Sequence, residues 1–419
     1  MRRSLGLLLV LAPLAAFADR TPFVVKGPVI VGVKPTEAWV TWQTSHHQGK
    51  ATKVSCAAGS PNGKAPALTL ASTDGPGVRF EDPTCSRQHR VHLTALKPGT
   101  RYHFTLDRPF AGGAAAEGSF GTPPEKPEGT VRFVVYGDNR DNPITEASTR
   151  PAHEAVVKGI LARESDADFL LHTGDAALNL PAVSGDDRGY AEFFEVERAL
   201  LASRPVEMAF GNHESIDPAF YDALLSGPML AGLAHPHYYS FDWGPVHVAV
   251  LDAFENPPKA PTPQREPGVS DAQAKWLDGD LAAAKAKGQQ LFLLSHQGAF
   301  SHGENGAGHG GSPDMQKKVV PLMIKHGVLG MFAGHDHYYQ RGREGCTGYY
   351  VVGAGGAPEY KPDAKAPGVV QVHSAPSYLS VTVGPDGAHA EAREAGGEVF
   401  DRFDFAPAGC PAPDGGKAP

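Results

Sequence analysis

Seven short apolar runs spread over residues 130 to 354 constrain this chain more than anything else in it. They are TVRFVVY (130–136), DFLLHT (168–173), PVEMAF (205–210), HVAVLD (247–252), QLFLLS (290–295), VLGMFA (328–333) and GYYVVGA (348–354). Each run is continuous rather than alternating, as expected of a strand covered on both faces. The segments 151–164, 191–203, 271–287 and 313–326 have helical periodicity, and the last opens with Ser312 as an N-cap hydroxyl and Pro313 at the first helical position. Strands alternating with helices predict the α/β class.

The chemistry-bearing residues sit where runs stop. Five runs end at a group of metal-ligand type: Gly137-Asp138, Gly174-Asp175, Gly211-Asn212-His213-Glu214, His296, and Gly334-His335-Asp336-His337. The carboxyl ends of strands in an open α/β sheet face one crevice, so residues remote in sequence converge there. A lone Gly-Asp is an ordinary turn, but such groups at five strand ends are not explained by turn chemistry. Carboxylate, amide and imidazole donors suit Mn, Fe or Zn. Six ligands, Asp138, Asp175, Asn212, His296, His335 and His337, are too many for one tetrahedral ion. They suit two ions ~3.5 to 4 Å apart, a clamp for in-line displacement at phosphorus.

Residues 19–122 read differently. AWVTWQT (38–44), ATKVSCA (51–57), RQHRVHLTAL (87–96) and TRYHFTL (100–106) are short alternating segments separated by turns such as Lys97-Pro98-Gly99, predicting a small β-sandwich. A Pro-rich linker (123–129) joins it to a domain spanning 130–407, and residues 408–419 form a Pro/Gly-rich tail. The first 18 residues combine Arg2 and Arg3, the apolar LGLLLVLAPLAAF and the small-x-small Ala16-Phe17-Ala18, the pattern of a signal peptide. That run is shorter than the ~20 residues that span a bilayer. An exported chain, periplasmic or extracellular and without a stable membrane span, is expected. In an exported chain four cysteines predict two disulfides, and three connectivities are open. Cys56–Cys85 and Cys346–Cys410 are preferred because each pair lies within one module. A formal charge of −8 argues against a nucleic-acid scaffold-binding surface.

The series GD, GD, GNHE, an apolar run ending in His, and GHDH, behind a leader and a sandwich, resembles the purple acid phosphatases of the calcineurin-like metallophosphoesterase superfamily. LTALKPGTRYHFTL, YYSFDWGPVHVAVLD, AQAKWLDGDL, GHDHYYQRGR, YYVVGAGGAPEY and EVFDRFDF extend the likeness over nearly the whole mature chain. The resemblance implies an α/β metallophosphoesterase double-sheet sandwich flanked by helices (α/β/β/α), preceded by an all-β fibronectin type III-like sandwich. It implies two divalent or trivalent metal ions (Fe, Mn or Zn) and hydrolysis of a small phosphorylated substrate by hydroxide held on the metals; it does not specify the substrate, for which a monoester is the favoured expectation. Asp175 would bridge the ions, with Asp138 and His337 on one and Asn212, His296 and His335 on the other. His213 would bind phosphate and protonate the leaving group, oriented by Glu214.

Two positions depart from the family. Leu178 stands where GDxxY supplies a tyrosine ligand, so the purple colour is not expected. Arg140 stands where the superfamily commonly has the His of D-x-H; it cannot ligate a cation, but it offers a fork of donors to phosphate oxygens or to a carboxylate. The Asp138 ion is then short of ligands, and His153, at the start of the next helix, is the candidate to complete it; Tyr339 is better suited to packing. In QGAFSHGENGAGHGGS, His302 or His309 is expected at the substrate, with His302 preferred on position. A phosphodiesterase or nucleotidase would use the same centre. An adhesion protein with a degenerate phosphoesterase domain is the reading from another class.

Overall fold

The computed structural model describes residues 24–44, 67–72, 78–81, 88–106, 117–140, 149–178, 188–216, 218–225, 237–258, 265–344 and 347–406. The predicted leader, the tail and all four cysteines lie outside them. Strands β1 (Val24–Lys34), β2 (Glu37–Thr44), β3 (Ala67–Ser72), β4 (Val78–Glu81), β5 (Gln88–Thr94), β6 (Arg101–Leu106) and β7 (Glu117–Gly121) form two antiparallel sheets, ordered β1-β2-β5 and β4-β3-β6-β7. On β6, burial alternates residue by residue, as the sequence pattern requires of a strand with one wet face.

All seven apolar runs become strands: β8 (Val131–Tyr136), β9 (Phe169–His172), β10 (Val206–Met208), β12 (Val246–Leu251), β15 (Gln290–Ser295), β16 (Gly330–Ala333) and β18 (Thr347–Val352). Chain order places β11 (Tyr239–Trp243) before β12 and a small ribbon, β13 (Asn256–Pro258) with β14 (Arg265–Glu266), after it. β17 (Tyr339–Glu344), β19 (Val369–His373), β20 (Ser377–Gly384), β21 (Gly387–Glu394) and β22 (Val399–Asp404) complete the set. Six strands assemble as β10-β9-β8-β20-β21-β22 and seven as β11-β12-β15-β16-β18-β17-β19. The pairs β8·β9, β9·β10, β12·β15, β15·β16 and β16·β18 are parallel, so the ends of these runs lie on one side of the molecule.

Side-chain alternation explains the layering. Phe133 and Val135 of β8 face the other sheet, whereas Val134 and Tyr136 pack on Val156 and Ile160 of helix Thr149–Arg163. In the second sheet Phe292 and Phe332 point inward, and Phe133 meets them edge-on at centroid distances of 5.8 and 6.0 Å. The outward side chains of that sheet, Ala249, Leu251, Leu291 and Leu293, are covered by Leu277, Leu281 and Ala284 of helix Asp271–Ala286, capped by Ser270. Four layers, α/β/β/α, result. The helix expected over 191–203 is two, Arg188–Val196 and Arg198–Leu201, and that over 313–326 is also two, Pro313–Lys318 and Val320–His326. The second break falls at Val319, just before Pro321, whose missing N–H is tolerated only in a helix's first turn.

The apolar core runs across the expected linker. Ile30, Trp42, Leu93, Phe104 and Phe120 from the first seven strands belong to one buried cluster with Phe133, Val248 and Phe332. Strand β1 also sends Val29 and Val31 into the helix-facing core beside Val134 and Tyr136. Glu207 of β10 fixes this junction: its fully buried carboxylate accepts Gly32 N–H at 3.1 Å and the Tyr239 hydroxyl at 2.9 Å.

Burial pushes the Glu207 carboxyl from 4.5 up to about 7. The folded state therefore holds a proton that the unfolded chain releases, and stability falls as pH rises from 4.5 to 7, by roughly 3 kcal/mol in all. Glu207→Gln is expected to be more stable than the parent at pH 8 and to have no such advantage at pH 4.5, as measured by chemical denaturation at the two pH values.

Candidate metal centre

The strand ends converge as sharp turns. Asp138 (φ 60°), Arg140 (φ 51°), Asp175 (φ 54°) and His335 (φ 70°) all adopt the left-handed backbone region that non-glycine residues usually avoid. Two neighbouring glycines permit the close approach: a Cβ on Gly334 would lie 2.0 Å from Asp138 Oδ2, and one on Gly211 would lie 2.2 Å from Asp175 Oδ1.

Donor atoms meet at a single buried point. His296 Nδ1 donates to the Thr173 carbonyl at 2.8 Å, turning Nε2 toward Asn212 Oδ1 (3.0 Å), His335 Nδ1 (3.1 Å) and Asp175 Oδ2 (3.4 Å). Asp175, His296 and His335 each offer a ligand atom within 4.8 Å of the others. Asp138 is completely buried, its Oδ1 accepting His335 N–H (2.8 Å) and its Oδ2 the Thr173 hydroxyl (2.9 Å). His337 donates Nδ1–H to the Pro358 carbonyl at 2.8 Å, leaving the Nε2 lone pair unclaimed by that bond. Carboxylates, an amide oxygen and imidazoles, two of which (His296 and His337) have the outer nitrogen held by a backbone carbonyl, form a donor set that fits borderline or hard cations.

Burial would lower the His296 imidazole, but the Asp175 and Asp138 carboxylates raise it to about 10. Burial, reinforced by the Asp175 charge, holds the Asp138 carboxyl well above its usual range. Burial would also raise Asp175, but the His296 and His213 imidazoles hold it well below. His337 is pushed down to about 3 by burial and then by the Arg140 guanidinium, which keeps its ring neutral. A cation here would relieve both the carboxylate repulsion and the crowding of lone pairs.

His213 stands at the opening, its backbone N–H bound to Asp175 Oδ1 (3.1 Å) and its Nε2 3.8 Å from Asp175 Oδ2, with the side chain 13% exposed. Glu214 does not orient it. The Glu214 carboxylate is fully buried and accepts the N–H groups of Asp175 (2.9 Å), Gly211 (3.0 Å) and Ala176 (3.1 Å), clipping the second Gly-Asp turn to the Gly-Asn-His-Glu turn. Arg140 is tied by its backbone N–H to the Asp175 carbonyl at 2.9 Å, and its guanidinium acts electrostatically on His337, His309 and Tyr360.

Two expectations are corrected. His153 is fully buried with Nε2 2.8 Å from Glu197 Oε1 and its ring stacked on Phe193, so the structure uses it for packing between helices rather than bringing it to the donor cluster. His302 turns away: Gln340 holds its backbone N–H and carbonyl, both at 2.9 Å, and its Nε2 lies 3.2 Å from Glu344 Oε1. His309 is the one at the centre, stacked on His335 at 3.8 Å and 22°. Tyr339 bonds Asp401 at 2.8 Å, consistent with packing, and Leu178 is buried. Thr173, Tyr360 and Asp336 were not singled out as site residues by their sequence context; Tyr360 stacks on His337 at 4.3 Å. For Thr173 a signal existed, its place immediately before a Gly-Asp strand end.

Residues 131–339 match the calcineurin-like phosphoesterase family model. Among curated proteins, purple acid phosphatase 21 of Arabidopsis thaliana is 29% identical over 65% of this chain and 59% of its own length. Tartrate-resistant acid phosphatase type 5 of Rattus norvegicus is 27% identical over 55% of this chain and 73% of its own. The chain thus spans less than two thirds of the plant relative. Among solved structures, the purple acid phosphatase PPD1 of yellow lupin (Lupinus luteus) superposes with TM-score 0.71 at 17% identity, covering 93% of this chain and 77% of that one. PhoD superposes with TM-score 0.63 at 13% identity, covering 96% and 94%.

Metal analysis separates the ligands from the neighbours. Asp175→Asn is expected to lower bound metal from two ions to one or none, by elemental mass spectrometry. His153→Gln should keep both ions and lose about 2 kcal/mol of folding stability, because Glu197 is left buried with a weaker partner.

Proposed function

We propose that this chain, whose residues 131–339 form a calcineurin-like metallophosphoesterase domain, is a dinuclear metal-dependent hydrolase of phosphate monoesters. One observation supports the reading: the buried Asp175 carboxylate meets His296 Nε2 at 3.4 Å beside Asn212 and His335, and its charge also acts on Asp138 and His337, with the partly exposed His213 3.8 Å away. Two Fe, Mn or Zn ions held by these residues would supply Lewis acidity to a phosphoryl oxygen and acidify water at neutral pH.

The chain's own groups do the rest. His213, fixed through its backbone to Asp175 and reached by solvent, gives its proton at Nε2 to the leaving oxygen. Arg140, whose backbone N–H is held by the Asp175 carbonyl and whose side chain bonds Tyr360, would offer its remaining guanidinium donors to phosphate oxygens. His309, which burial holds below the usual imidazole range, faces the phosphate as a neutral donor. Phe254 sets an apolar ring beside the centre, with centroids 5.9 Å from His296 and 6.0 Å from His335, and would limit water there.

Export belongs to the same proposal and is supported by the signal-type segment of residues 1–18. No helix among the described residues is long and apolar enough to cross a membrane. The three-plus-four arrangement of the first seven strands supports reading them as a fibronectin type III-like sandwich.

The purified chain is expected to release nitrophenol from nitrophenyl phosphate faster than from the bis-nitrophenyl diester. Diester preference would move the reading to a phosphodiesterase, and no metal with no turnover of either would reject an enzyme. Arg140→Ala should lower kcat/KM for the monoester about 10²-fold with both ions retained. Metal loss with unchanged turnover per occupied site would reject a phosphate-binding role for Arg140.

A further inference from the structure

We infer that Asp336, the residue between His335 and His337, is a positioning residue that sets how His309 meets the substrate. The inference rests on the phosphoesterase reading and adds a determinant of substrate affinity to it. Asp336 is 1% exposed, and its carboxylate is wrapped by the loop that follows His296. Oδ1 accepts the N–H of His309 at 2.5 Å. Oδ2 accepts the N–H of Gly310 and the Tyr338 hydroxyl, each at 3.2 Å, and also the Ser301 hydroxyl. The Ser301 and Tyr338 hydroxyls lie 2.7 Å apart, so the cage is joined on its outer side.

The loop between Ser301 and Gly310 is thereby gathered around one fixed anion. Gly308 has φ +81°, and a Cβ there would lie 2.3 Å from Asp336 Oδ1, so no side chain fits between loop and carboxylate. Because the His309 amide is bound to a residue flanked by two candidate ligands, the His309 ring is held in register with the centre and stacked on His335 at 3.8 Å. Gln297 supports the far end of the turn by donating to the Gly310 carbonyl at 2.8 Å, while Gln340 ties His302 into the wall. The carboxylate itself faces the loop. Its influence on substrate passes through His309.

The test is a double-mutant cycle on the metal-loaded full chain, read by nitrophenyl phosphate kinetics and, independently of turnover, by calorimetric binding of inorganic phosphate. His309→Ala, Asp336→Asn and Gly308→Ala are each expected to raise KM and weaken phosphate binding about tenfold while kcat changes less than about twofold, the pattern of lost uniform binding. Metal content should stay at two ions. In a His309→Ala background, Asp336→Asn and Gly308→Ala should add no further loss, because the interaction they support is already gone. Gly308→Ala perturbs the same contact without altering the Gly-His-Asp-His turn, so it decides the matter if Asp336→Asn folds poorly or sheds metal. Additive losses, or a fall in kcat with KM unchanged, overturn the role of Asp336 and leave the phosphoesterase reading standing. Neither turnover nor phosphate binding in the parent chain overturns both.

Discussion

Two carboxylates removed from water and brought toward the same point are the constraint around which this molecule is arranged. Asp138 and Asp175 lie at the ends of β8 and β9, adjacent parallel strands, so the sheet itself delivers both charges to one place. Each carboxylate is met by groups from other segments: His335 N–H and Thr173 hydroxyl donate to Asp138, His213 N–H donates to Asp175, and His296 Nε2 lies 3.4 Å from it. Those donors link the turns to one another, so the repulsion that a bound cation would relieve also dictates how the strand ends are stitched together.

The skeleton of this arrangement is legible in the sequence. Continuous apolar runs report burial on both faces, and the polar group ending each run reports which strand end faces the crevice. Asp138, Asp175, Asn212, His296 and His335 were found by that reasoning, and the structure places them within reach of one another. The reasoning weakens once a residue leaves the strand end. His302 and His309 share a Gly-rich loop, and which of them turns inward depends on Gln340 and Asp336, partners more than twenty residues away that no local pattern couples to them. His153 sits at a helix start near the crevice, but its direction follows from Glu197, in the break between two other helices. Glu214 shows the same limit: its sequence context suggests a partner for His213, while the fold uses it as an acceptor for three backbone amides.

The N-terminal strands illustrate how packing can outrun a boundary drawn from composition. Proline and charge concentrate at 123–129, yet Trp42, Phe104 and Phe120 share a buried cluster with the inter-sheet phenylalanines, and β1 reaches the helix-facing core as well. Such continuity couples the two parts thermodynamically, since exposing one face exposes the other. The first seven strands are thus part of the scaffold that keeps β10, and the Gly-Asn-His-Glu turn after it, in register.

Return to the backbone of Asp138, Arg140, Asp175 and His335, all held at positive φ. Glycine adopts that region without steric penalty, so each turn would be relaxed by it. The side chains pull the other way: glycine at Asp138 would strip the bonds to His335 and Thr173, and glycine at Asp175 the bond to His213, leaving buried donors unpaired. The turns are thus strained in their backbone and held by their side chains, so the same residues that cost local conformational energy are the ones that tie the strand ends together.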